Sequence, residues 1–140
     1  MILGSDIAKS ARSMLGIRWA SGGRSLGGVD CSGFCIMAAK AVGLELPTYS
    51  GAYDPKSPDP QMMREALAGV GELLSPKDWR PGMLCFMTLP GTRGATHLGV
   101  YAEDGQVYHM EPFKRKAVAR SQGALPGRIV CCVKLHGVKY

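Results

Sequence analysis

The sequence predicts an α+β domain with helices first and an antiparallel sheet after them. Three observations carry this. Through the first half, apolar residues recur at three- and four-residue spacing. From Met83 onward they fall in short runs or alternate with polar ones. An Asp104-Gly105 turn signal separates two alternating runs, as it does where antiparallel neighbours are joined. The 140 residues are 46% hydrophobic and 20% charged, so one domain spanning 1–140 is expected and a disordered chain is excluded.

Taken in order, Ser5 is expected to cap a first helix with Ile7, Ala8, Ala11, Met14 and Leu15 inward, ended by Gly16. Residues 22–28 are glycine-rich. They are expected to lack regular structure and to let the backbone pass close to a neighbour. Asp30 or Cys31 opens a second helix, with Phe34, Cys35, Ala38, Ala39 and Val42 inward and Gly43 closing it. Residues 47–60 read as an irregular surface loop. At its end, Asp59-Pro60 pairs an N-cap with a first-turn proline, and Met62, Met63, Ala66, Leu67 and Val70 are assigned to the inner face of a third helix. Strands are expected at 83–88, 96–102, 106–110 and 129–135.

Several function classes drop out at this level. No stretch approaches the roughly 18 apolar residues of a membrane span. Asp6 and Lys9 interrupt the first apolar run, so no secretory signal is expected and synthesis is assigned to the cytoplasm. The five cysteines (31, 35, 85, 131 and 132) are odd in number and form no C-x-x-C pair. Structural zinc is not expected from that spacing, and Cys131 and Cys132 are assigned to opposite faces of a strand. Residues 1–111 hold ten basic and eleven acidic side chains, whereas 112–140 hold seven basic and none acidic. Such a segment suits an anionic partner such as cell-wall polymer, nucleic acid or lipid head groups, and equally a solvated edge strand. It lacks the interleaved aromatics of a nucleic-acid platform, so no nucleic-acid partner is expected.

The chemistry falls on one cysteine and two histidines. Cys31 stands at the expected start of a helix, where the dipole and the first backbone N–H groups lower a thiol pKa and can receive an oxyanion. Taken alone, Cys31 is more often a small buried hydrophobe. Only three histidines exist, at 97, 109 and 136, and His136 is assigned to solvent. His97, Gly99 and Tyr101 share a strand face, the glycine removing bulk beside the imidazole. A two-residue Asp-Gly turn pairs Val100 with His109 and parts the two rings. A three-residue loop, 103–105 with Gly105 left-handed, pairs Ala102 with Gln106 and Gly99 with His109. The rings then lie diagonally on one face, with Cα positions about 7–8 Å apart. In that register His97 is the candidate base for Cys31, and His109 orients it.

These residues resemble the NlpC-type family of papain-like cysteine peptidases that cut bacterial cell walls. Residues 16–23 (GIRWASGG) are similar to the family's G-x-P-Y-x-x-G-G, and Asp30-Cys31-Ser32-Gly33-Phe34 to its nucleophile motif. Leu46-Pro47 with Ser50 follow at the usual distance. Residues 80–86 (RPGMLCF) resemble R-P-G-D-L-V-F, residues 97–101 (HLGVY) resemble H-V-G-I-Y, and 107–109 resemble the segment of the third catalytic residue. Trp19 stands in the place of a tyrosine, Arg18 of a proline and Met83 of an acidic residue.

The resemblance implies a papain-like fold with Cys31 as nucleophile, His97 as base and His109 as third residue. It places Trp19, Asp30 and Ser32 near the substrate, and implies no metal or organic cofactor. The implied reaction is hydrolysis of peptidoglycan stem peptides between γ-D-glutamate and a diamino acid. An amidase, an acyl or ester transferase, or a wall-binding component with silent chemistry are the alternatives. Arg18-Trp19, Gly23-Arg24-Ser25, Gly28-Val29-Asp30-Cys31 and Ala52-Tyr53 look most like a phage tail-associated branch, which implies tail proteins as partners and either a virion enzyme acting on the cell wall or, equally, a prophage-encoded copy.

Overall fold

The computed structural model describes residues 1–47, 59–92, 94–111 and 113–140. Most of the expected loop at 47–60 and its Ser50, Ala52 and Tyr53 lie outside the described residues. The chain opens with β1 (Ile2–Leu3), which pairs in parallel with β10 (Val138–Lys139) and runs straight into α1 (Gly4–Ser13). Ser5 is therefore inside the helix and not its cap. The entry strand sets Leu3 at the N-cap position, where its N–H reaches the carboxylate of Asp6 at 3.4 Å. Ile7, Ala8 and Ala11 are buried as expected, while Leu15 lies beyond the helix end and is exposed.

The glycine-rich stretch is more regular than its composition suggests. Arg24–Ser25 (β2) and Gly28–Val29 (β3) form a small antiparallel hairpin across Leu26-Gly27. Its close approach is as expected, with the Gly23 carbonyl packed where a side chain on Gly33 would stand. Helix α2 (Cys31–Lys40) buries Phe34, Cys35, Ala38 and Ala39, and Gly43 and Leu44 donate back to Lys40 and Ala39 to close it. Helix α3 (Pro60–Val70) starts from Asp59, whose carboxylate accepts from Gln61 N at 2.9 Å. Its buried stripe is narrower than expected: Met63 and Leu67 are covered, while Met62 faces solvent.

Six strands form the main sheet: β4 (Gly71–Leu74), β5 (Leu84–Met87), β6 (His97–Tyr101), β7 (Val107–Glu111), β8 (Lys116–Arg120) and β9 (Ile129–Leu135). Their spatial order is β4-β9-β5-β6-β7-β8, and every neighbouring pair is antiparallel. Strands β4 and β8 were not expected. The first follows α3 without a break, and the second alternates weakly among basic residues. Leu84, Phe86, Leu98, Val100 and Met110 pack with Ile7, Phe34 and Ala38 of the helices. The opposite face buries Cys85, Met87, Tyr101, Val107 and Cys132, with Trp79 stacked on Tyr101. Cys131 and Cys132 do fall on opposite faces.

The outer edge of β8 is partly covered. Residues 16–19 run along it, with Gly16 N to Ala117 O at 2.9 Å, Ala117 N to Ile17 O at 3.0 Å and Trp19 N to Arg115 O at 2.9 Å. Part of the basic segment is thus edge strand, and its Arg120 is paired with Glu111. No helix among the described residues is long and apolar enough to cross a membrane.

Candidate active site

The site begins at the head of α2. Asp30 is extended and caps the helix, its Oδ1 accepting from Gly33 N at 2.7 Å. The same oxygen receives Arg24 Nη1 at 2.6 Å, so the β2–β3 hairpin is fastened to the helix start. Asp30 is buried, and its Oδ2 has no hydrogen-bond partner among the described residues. Cys31 is the first helical residue, half-buried beside buried Ser32. Its Sγ lies 4.0 Å from Ser32 Oγ and 3.9 Å from the carbonyl oxygen of Thr96, the residue that precedes His97. The helix therefore delivers its thiol to the end of β6 where the first histidine stands.

The hairpin register decides whether the second histidine joins it, and it does. Gly99 pairs with His109, Val100 with Tyr108 and Tyr101 with Val107. Ala102 N donates to Gln106 O at 2.8 Å, and Gly105, at φ +85°, closes the three-residue loop that this register requires. His97 Nε2 and His109 Nδ1 are 2.8 Å apart, with the rings nearly perpendicular at 87°. Gly99 makes this possible. A Cβ there would stand 2.7 Å from Val107 Cγ1 and 3.1 Å from His109 Cβ.

Both rings are buried and neutral at pH 7. Burial pushes His97 down to about 3, with the neighbouring His109 adding to the effect. Burial also lowers His109 to about 4, while Glu111 raises it and Arg120 lowers it further. One of the two facing nitrogens must donate, so the rings hold complementary tautomers. A neutral imidazole whose far nitrogen is bare can take a proton. Among the other thiols, burial raises Cys35 well above its ordinary value, Cys85 to about 12 and Cys132 to about 11, which keeps them protonated.

The remaining expected residues sit as follows. The backbone of Trp19 bridges to Val29, two residues before Cys31, and the Arg115 guanidinium lies 5.3 Å over its ring. His136 is exposed. Sequence reasoning missed Arg24 as the partner of Asp30, and Glu111 and Arg120 as charges beside His109. Alternation places Glu111 on the His109 face, but nothing local announces the ion pair. Among the described residues no three His, Cys, Asp or Glu side chains cluster to hold a metal.

A family model described as the NlpC/P60 family matches residues 16–128. A probable endopeptidase of Mycobacterium tuberculosis is 30% identical over 108 residues, 76% of this chain and 23% of that protein. The γ-D-glutamyl-L-lysine dipeptidyl-peptidase of Bacillus subtilis is 32% identical over 105 residues, 74% of this chain and 31% of that one. The chain thus spans less than a third of the length of either relative. Among solved structures, the NlpC/p60 domain of the peptidoglycan hydrolase SagA superposes with a TM-score of 0.70 at 21% identity, covering 96% of this chain and 100% of that domain. The peptidoglycan hydrolase RipB of Mycobacterium tuberculosis gives 0.67 at 22%, covering 98% and 65%. These structural likenesses establish the fold.

Proposed function

The chain belongs to the NlpC/P60 family, and on that premise we propose that it is a cysteine peptidase cutting peptidoglycan stem peptides between γ-D-glutamate and a diamino acid. The observation that carries this is the bond between two buried neutral imidazoles, at the strand end where Cys31 Sγ arrives. Cys31 attacks the scissile carbonyl as Nδ1 of His97, turned away from His109, takes the thiol proton. The oxyanion is received by backbone N–H groups at the helix start. Gly33 N is already bound to Asp30 Oδ1 and Phe34 N to the Asp30 carbonyl, so neither of these two is assigned the role. His97 returns the proton to the leaving amine, and water then hydrolyses the thioester.

The choice of bond is supported by the name of the Bacillus subtilis relative. Trp19 and Ser32 are assigned to the substrate cleft, and Asp30 to its wall. A phage tail-associated enzyme, made in the cytoplasm and delivered to the cell wall with tail partners, is the setting that the motifs at 18–19, 23–25 and 28–31 favour. Digestion of sacculi by wild-type and Cys31→Ala protein, read by mass spectrometry, tests the proposal. Fragments ending in γ-D-glutamate are expected from the wild type alone. Equal release by both proteins, or fragments cut at the muramoyl-alanine amide, would overturn it.

A further inference from the structure

Resting on that reading of Cys31, His97 and His109, we propose that Glu111 is a positioning residue that holds the proton of His109 on Nε2, with Arg120 as its brace and electrostatic counterweight. The β7–β8 register pairs Val107 with Arg120, His109 with Val118 and Glu111 with Lys116. Glu111 and Arg120 therefore do not face each other. On the shared face the His109–Val118 rung stands between them. Their charged ends nevertheless meet, with Arg120 Nη2 2.8 Å from Glu111 Oε2. Two side chains so placed can meet only by reaching along the strands, across that rung. The ion pair spans His109.

His109 needs what the span supplies. It is fully buried, and its Nε2 has no hydrogen-bond partner among the described residues. If His109 Nδ1 donates across the 2.8 Å contact, His97 accepts at Nε2 and must carry its own proton on Nδ1. His97 then cannot take a proton from a thiol. If His97 Nε2 donates instead, its Nδ1 is bare and His109 carries its proton on Nε2. Only the second arrangement is a base. A proton on a buried Nε2 is stabilised by a negative charge and opposed by a positive one. Glu111 favours the useful tautomer and Arg120 the useless one. Exposure decides between them: the Glu111 side chain is 14% exposed and Arg120 33%, so the carboxylate sits deeper and the guanidinium is better screened. Among the described residues, the charged or titratable groups on the His109 face of the neighbouring strands are His97 and Tyr101 from β6, Glu111 from β7 and Arg120 from β8, with Lys116 opposite Glu111 and exposed.

The test compares wild type, Glu111→Gln and Arg120→Gln by nitrogen-15 NMR of the histidine rings and by the pH profile of kcat/KM on a stem tetrapeptide. In the wild type the His109 proton is expected on Nε2, and in Glu111→Gln it should move toward Nδ1. The acid limb of activity should shift down by about half a pH unit in Glu111→Gln and up in Arg120→Gln. At pH 7 the kcat of Glu111→Gln should fall about tenfold with KM little changed. A merely structural ion pair would move both variants the same way, and that result, or an unmoved tautomer in both, overturns the proposal. The ring spectra are read on resting protein, so they decide this point even if Cys31→Ala were to show that the chain's chemistry lies elsewhere.

Discussion

Gly99 lacks a side chain where the directly opposite residue is the third member of the proposed group. A methyl at this position has nowhere to go, being held between Val107 Cγ1 at 2.7 Å and His109 Cβ at 3.1 Å. Overpacking of this kind costs about 1–3 kcal/mol, and the strands relieve it by shifting. The methyl presses on Val107 Cγ1, the Tyr108 carbonyl oxygen and His109 Cβ, all on β7, so relief displaces the strand that carries His109 and with it the 2.8 Å contact with His97. Gly99→Ala is therefore expected to lower Tm by several degrees and kcat by more than tenfold, a larger loss than the folded fraction explains. Thermal unfolding and kcat on a stem peptide check it. Full activity in a destabilised variant would show that Gly99 serves packing alone.

At the level of elements, the head of α2 joins two tasks in one carboxylate. Asp30 Oδ1 caps the helix through Gly33 N and holds Arg24 of the β2–β3 hairpin. The two can be separated. Asn is as good an N-cap as Asp, so Asp30→Asn keeps the cap and loses the ion pair, whereas Asp30→Ala loses both. Losing the cap costs about 1 kcal/mol, and losing the ion pair of Arg24, whose Nη1 keeps its bond to the Gly23 carbonyl, lowers stability further. Chemical denaturation is expected to rank wild type above Asp30→Asn and that above Asp30→Ala. Equal midpoints for the two variants would mean that the cap contributes nothing.

The same element shows how much the sequence disclosed. Asp30, Cys31 and Gly33 announce a capped helix start because cap chemistry is local, and Asp104-Gly105 announces a turn for the same reason, but it fits both a two-residue and a three-residue loop and only the fold chooses between them. Arg24 was silent because its partner is chosen by tertiary approach. Strands β4 and β8 were silent for a related reason: four residues directly after a helix, and a basic run at a sheet edge, carry no alternation strong enough to separate strand from surface. Ser5 misled because Asp6 is the better local acceptor once β1 feeds straight into α1.

On the scale of the whole molecule, the sheet buries two histidines on the face away from the helical core, and that sets how the fold answers acid. Unfolded histidines titrate near 6.5, whereas burial lowers His97 to about 3 and His109 to about 4. Between those values and 6.5 the unfolded chain binds protons that the folded chain refuses, so stability rises with pH across the window and is lost on acidification. Each ring contributes up to about 1.4 kcal/mol per pH unit there. Carboxylates titrate in the lower part of the same range, so the comparison must be between variants. Wild type and His109→Asn, the latter keeping a polar group of similar reach, should differ little in slope above pH 7. Below 6.5 the wild-type urea midpoint should fall more steeply, because the variant has removed one of the two refused protons. Parallel curves from pH 7 to 4.5 would mean that His109 already has the same proton affinity folded and unfolded. His109 would then take up a proton near 6.5 in the folded protein too, and the neutral pair from which His97 acts as a base would be confined to higher pH.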